Sequence, residues 1–147
     1  MVSLVVYFSR GKKTRKVAEV IAKELGTEAI DIKRQQPDAS TADLLVLGSG
    51  TYGGKPGKQL TAYLENLPTV NDKYAASFAT GMWNPARNLT LMQEVLKAKG
   101  YKILEGFTCY GSWLFIKRGH PNTEDLNKAQ EFARQLRMAA KASTTGH

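Results

Sequence analysis

The stretch LVVYFSRGKKTRKVAEVIAKEL, residues 4–25, changes backbone type within a few positions. Its opening run of leucine, valines and aromatics reads as a strand, while Val17, Val20, Ile21 and Leu25 recur at helical spacing and Gly26 is placed as a stop. Between them lies SRGKKT, a loop with one glycine and two lysines. A strand that feeds a helix through so short a loop starts a β-α-β unit. The rest of the chain repeats the pattern, with strands expected over 2–8, 27–33, 43–48, 74–80 and 101–109. Helices are expected over 13–25, 58–67, 86–99 and 123–140, the last with Asn122 as N-cap and Asp125 at the capping-box position. Strands alternating with helices imply right-handed crossovers and an α/β fold, a parallel sheet with helices on both faces.

The 147 residues suit one domain, read as 1–141 with 142–147 as a flexible tail. No apolar run approaches the roughly 20 residues of a membrane span, and the start has no basic region ahead of its apolar run, so no insertion and no signal peptide are expected. The single cysteine, Cys109, has no partner for an internal disulfide, which suits a cytoplasmic location, and it reads as a small buried residue. The two histidines make no metal site. The formal charge of +8 would favour acidic partners, but the basic residues form no tail or aromatic-interleaved ribbon, which argues against nucleic acid.

In open α/β sheets ligands sit beyond the carboxyl ends of the strands. Three loops lie there. The first holds Ser9, Arg10, Gly11, Lys12, Lys13 and Thr14, where free amides and the positive end of a helix dipole suit a phosphate monoester. The Walker spacing is missing, which removes the main support for nucleoside triphosphate hydrolysis. The second holds Ser49, Gly50, Thr51, Tyr52, Gly53 and Gly54, an aromatic face among exposed amides; the third holds Thr80, Gly81, Met82 and Trp83. A phosphate cradle and two aromatic loops point to a flat ring with a phosphate tail.

At these loops the chain resembles the flavodoxin family. SRGKKT resembles its phosphate loop S/T-x-T-G-x-T, GSGTYGG its G-x-P-T-Y/W-G loop, FATGMW stands in the place of the third loop, and RGHPNTEDLNKAQEFARQL is similar to the last helix of several members. The resemblance implies a flavodoxin-like three-layer open sandwich of short-chain type, with five parallel strands in the order 2-1-3-4-5. It implies FMN as cofactor, held by the sixteen loop residues just named, and electron transfer between redox protein partners. It also implies that the Gly53–Gly54 peptide reorients to bond N5–H of the one-electron-reduced ring. Two positions depart from the family pattern: Lys12 stands where glycine is usual and Gly50 where proline is usual. The lysine either strengthens phosphate binding or distorts the cradle.

Other readings remain open at this stage. One is an FMN-dependent NAD(P)H:quinone-type reductase; another is a flavin-free regulatory or nucleic-acid-binding module. Tyr52 and Trp83 also read as ordinary core or surface aromatics. In SWLFIKRGH, residues 112–120, Trp113, Leu114, Phe115 and Ile116 either complete the core or offer an apolar surface to a redox partner or to a second subunit in a homodimer.

Overall fold

The computed structural model of the chain describes residues 1–109 and 123–145, with side chains to residue 142. The apolar surface of Trp113–Ile116 and the Asn122 cap lie outside the described residues.

The central strands are β1 (Ser3–Phe8), β3 (Leu44–Gly50) and β4 (Tyr74–Thr80), and every residue of β3 and β4 is buried. Such strands must be apolar on both faces, which is why LLVLG and YAASFAT read as continuous runs. β1 pairs with β3 in parallel, Val5 opposite Val46, and β3 with β4, Val46 opposite Ala76. With β2 (Ala29–Asp31) and β5 (Lys102–Ile103) the order is β2-β1-β3-β4-β5, the 2-1-3-4-5 order expected.

Side chains alternate across the sheet, so each strand feeds two cores. On one face Val5, Val46 and Phe78 pack with Val17 and Ile21 of α1 (Lys13–Leu25) and with Phe132 and Leu136 of α4 (Thr123–Thr145). On the other face Val6, Leu45 and Leu47 meet Leu60 and Leu64 of α2 (Lys58–Glu65) and Met92 and Leu96 of α3 (Pro85–Ala98). α1 stops at Gly26, whose φ of 75° is left-handed; Gly26 and Thr27 N–H groups bond back to the carbonyls of Lys23 and Ala22.

Several element boundaries differ from the sequence reading: β1, β3, α2 and α3 shift by one or two residues at one or both ends, and three further differences have a local cause or consequence. β2 covers 29–31 rather than 27–33, because Thr27 N–H belongs to the helix cap and the Asp31 carboxylate accepts the Lys33 amide, turning the chain. The final helix continues from the expected residue 140 to Thr145. The fifth strand is divided into β5 and β6 (Phe107–Cys109), both parallel to β4. Ala75 faces Ile103 and Phe78 faces Phe107, so three residues, 104–106, oppose two, Ala76 and Ser77. One extra residue cannot stay in register, and the strand bulges. Gly106 sits at the bulge against Leu89, where an added Cβ would lie 2.8 Å from the leucine. Beyond it, Phe107 stacks on Phe132 at 5.3 Å.

Candidate functional site

The carboxyl ends of β1, β3 and β4 come together, and their loops line one cleft of about 200 Å3. Ser9, Arg10, Gly11, Lys13 and Thr14 come from the first loop, Gly50, Thr51 and Tyr52 from the second, and Thr80 and Gly81 from the third. All ten belong to the sixteen residues singled out in the sequence. Of the other six, Ser49 is buried beneath the cleft, Lys12 is exposed beside it, and Gly53, Gly54, Met82 and Trp83 lie outside its lining. A larger hollow of about 550 Å3 lies between α2 and α3, among Ala62, Leu91 and Val95. It draws nothing from the first or third loop, so we place the site at the smaller cleft, where polar groups of three loops converge.

Cross-bonds hold the loops in one unit. The hydroxyls of Thr14 and Thr80 share a buried hydrogen bond of 2.6 Å; whichever donates, its partner's proton stays available to a ligand. The Thr51 hydroxyl donates to the Thr80 carbonyl at 2.8 Å, tying the second loop to the third. Arg10 joins the first loop to the second twice: its amide donates to the Tyr52 hydroxyl at 3.2 Å, and its guanidinium lies 4.5 Å from the Tyr52 ring centroid. Tyr52 is thus turned inward, edge-on to Phe8, and burial raises its phenol pKa against the lowering effect of Arg10. This accounts for Gly50: a Cβ there would stand 2.6 Å from the Tyr52 hydroxyl, and a proline ring has no room.

The second loop closes as a tight turn. Tyr52 and Lys55 exchange backbone hydrogen bonds of 2.8 and 3.2 Å, with Gly53 and Gly54 between them at φ 63° and 77°. Positive φ at both central positions is the type I′ pattern, which asks for glycine. A Cβ on Gly54 would also lie 3.0 Å from the Arg87 side chain.

The first loop is different in kind. Lys12 precedes α1 at φ −102°, ψ −10°, an ordinary right-handed conformation, so no glycine is needed there. α1 has no side-chain cap and no acidic residue in its first turn. Among the described residues no acceptor meets the amides of residues 11–15, whereas Lys16 N–H already bonds the Lys12 carbonyl. The Ser9 hydroxyl donates to Gly11 O at 2.6 Å, and Lys33 Nζ donates to Ser9 O. The loop therefore presents a row of free amides on a braced backbone.

Sequence reasoning missed Asn88. This α3 residue is fully buried, and its amide group donates to the carbonyls of Ser49 and Gly50 at 3.2 and 3.0 Å and to Thr51 Oγ1 at 2.9 Å. Its Oδ1 has no partner among the described residues. A signal was present: Pro85, Asn88, Met92 and Leu96 form the buried stripe of α3, and an asparagine inside such a stripe needs partners. Cys109 lies at the end of β6, where its carbonyl accepts Gly81 N–H; burial pushes its thiol up to about 12 and keeps it protonated at neutral pH.

A family model for the flavodoxin domain matches residues 4–114. An uncharacterised protein of Methanocaldococcus jannaschii is 32% identical over 148 residues, covering 92% of this chain and 98% of its own length. A flavodoxin from the domain Archaea superposes with a TM-score of 0.75 at 18% identity, covering 96% of this chain and 99% of that one. Flavodoxin 2 of Bacillus cereus gives a TM-score of 0.75 at 22% identity, covering 98% and 99%. At such identities the superpositions establish the fold, while the family match spans most of the chain. The protein belongs to the flavodoxin family.

Proposed function

We propose that the protein binds FMN in the three-loop cleft and transfers electrons between redox partners. The single observation that carries this reading is the row of free amides at residues 11–15, opening on a cleft lined by all three loops. Free amides at a helix N-terminus, with Lys12 and Lys13 beside them, fit a phosphate dianion. The cleft is smaller than the roughly 300–1,000 Å3 usual for a whole ligand, so it fits the phosphate and its polyol chain, leaving the ring to the rim. There Trp83 is 73% exposed and Met82 is 38% exposed, an apolar patch of the kind a planar ring covers.

FMN supplies the redox chemistry; the chain holds it and orients it. The first loop would bind the phosphate through its amides and the free proton of the Thr14–Thr80 pair. The Gly53–Gly54 peptide is the group we assign to the reduced ring, since glycine at both positions lets that peptide turn over without side-chain clashes. The test is spectroscopic. Protein purified without added cofactor, or after addition of FMN, should show a flavin spectrum, and stepwise anaerobic reduction should proceed by one-electron steps. Failure to take up FMN sinks the reading, and turnover of NADH or NADPH without a separate reductase would replace electron carriage with a reductase activity.

A further inference from the structure

Four segments at the carboxyl ends of β1 to β4, residues 9–16, 31–35, 49–58 and 80–87, hold ten of the chain's 21 lysines and arginines and one of its 13 acids, Asp31. The remaining eleven cations and twelve acids nearly cancel, so the charge of +8 comes from segments at one edge of the sheet. Arg10, Lys12, Lys13, Arg15 and Lys16 surround the first loop; Lys33 and Arg34 follow β2, Lys55 and Lys58 follow β3, and Arg87 follows β4. Among the described residues only Arg15 of these ten is ion-paired, with Glu19 at 3.7 Å between two exposed side chains.

The placement runs against helix stability. α1, α2 and α3 all begin at this edge, none with an acidic residue in its first turn, and Lys13, Lys58 and Arg87 stand where a helix dipole favours carboxylates. Bound phosphate would neutralise two charges at one loop; Lys55, Lys58 and Arg87 have no ion pair among the described residues, and Arg34 has none either, although it borders a hollow with Glu19, Glu28 and Asp31. Amid the cations lie Met82 and Trp83, the patch assigned above to the flavin ring, so the ring would sit as an apolar centre inside a charged rim.

We propose that this edge is a docking surface for an acidic one-electron redox protein, whose carboxylates face the basic rim. The claim rests on the FMN reading: one electron leaves the partner's centre, which is oxidised, and enters the flavin, which is reduced. Long-range attraction of this kind acts mainly on the encounter rate and weakens with salt.

The test measures stopped-flow reduction of the FMN-loaded protein by a reduced plant-type [2Fe–2S] ferredoxin, an acidic one-electron donor, after its FMN content has been determined. Arg34→Glu/Lys58→Glu should lower the second-order rate at least about tenfold at low salt, with a shallower salt dependence. Lys23→Glu/Lys97→Glu removes the same charge from the last turns of α1 and α3 at the opposite edge, and should leave the rate within about twofold of wild type. Equal rates for wild type and both variants overturn the docking surface, as do equal losses in both. Reversal-sensitive binding of phosphatidylserine vesicles or duplex DNA, with an unaffected ferredoxin rate, overturns it in favour of a lipid or nucleic-acid partner. Inability to load FMN overturns the flavin reading itself, and the docking claim with it.

Discussion

The loops after β1 and β3 leave neighbouring strands at the same edge and handle their polar groups in opposite ways. In the second loop the Ser49 hydroxyl donates to Gly50 O and accepts Gly57 N–H, Thr51 is bonded on both sides, and Asn88 holds the two carbonyls between them. In the first loop the amides of residues 11–15 meet no acceptor among the described residues, and the bracing comes through Lys33 and Tyr52. A loop whose hydroxyls and strand-end carbonyls are held is scaffold up to the Gly53–Gly54 turn, and one with aligned free donors is a receptor. On the FMN reading proposed above, the contrast would give the phosphate to the first loop and the shape of the ring site to the second.

The largest effect should come from the scaffold. Asn88→Leu removes a donor from two buried carbonyls and a hydroxyl; Gly50 O keeps the Ser49 hydroxyl and Thr51 still donates to Thr80 O, and each buried group left short of a partner costs about 1–3 kcal/mol, partly offset by loss of the unpartnered Oδ1. We expect a loss of about 3 kcal/mol in urea unfolding, with FMN and riboflavin weakened alike. Unchanged stability would show that the second loop needs no clamp, and the contrast would fail.

Thr14→Val comes next and should be selective. It breaks the buried Thr14–Thr80 bond and removes the Thr14 hydroxyl, the member of the pair that stands in the first turn of α1 beside the open amides, leaving only the Thr80 hydroxyl. A hydrogen bond to a charged group contributes roughly 1.5–3 kcal/mol, about 10- to 150-fold in FMN affinity. Riboflavin should change far less. Equal losses for both flavins in a titration would mean that Thr14 supports the loops and not the phosphate. Ser9→Ala is a weaker probe, since that hydroxyl already bonds Gly11 O.

A glycine pair sharpens the comparison through stability alone. A Cβ on Gly81 would come within 2.7 Å of Thr51 Cβ, wedging the third loop off the second, whereas a Cβ on Gly11 meets nothing within 4 Å. Gly81→Ala should cost about 1–3 kcal/mol, and Gly11→Ala should stay within about 0.5 kcal/mol of wild type. Thermal unfolding of the two variants side by side decides it. A costly Gly11→Ala would mean that the first loop is packed more tightly than its open amides indicate.

Much of this was legible in the sequence, for identifiable reasons. Strands buried on both faces and amphipathic helices write their period into residue choice, so the alternation of elements could be read directly. The ten cleft-lining residues were also legible, because glycines, hydroxyls and aromatics gather where a strand ends and a ligand approaches. The bulge at 104–106 was not, since one extra residue leaves no mark on an apolar run. Asn88 was missed because its role depends on two carbonyls and a hydroxyl 37 to 39 positions away, which periodicity within α3 cannot report. The inward turn of Tyr52 likewise depends on Arg10, 42 residues earlier.

The smallest effect concerns Lys12, where the sequence left two outcomes open. The structure places it at φ −102°, ψ −10°, exposed, in a conformation that any residue adopts, so its side chain does not force the loop out of shape. What remains is charge. An exposed cation near a phosphate contributes in the range of surface ion pairs, about 0.2–1 kcal/mol, and salt weakens it. Lys12→Gly should therefore weaken FMN by about 1.4- to 5-fold, more at low salt than at high, and leave riboflavin unchanged. Added backbone freedom acts in the same direction but is indifferent to salt and to the phosphate, so titrations with both flavins at two salt concentrations separate the contributions. Tighter FMN binding by the glycine variant would show that lysine obstructs the cradle, and the first loop would no longer be the open receptor that its free amides describe.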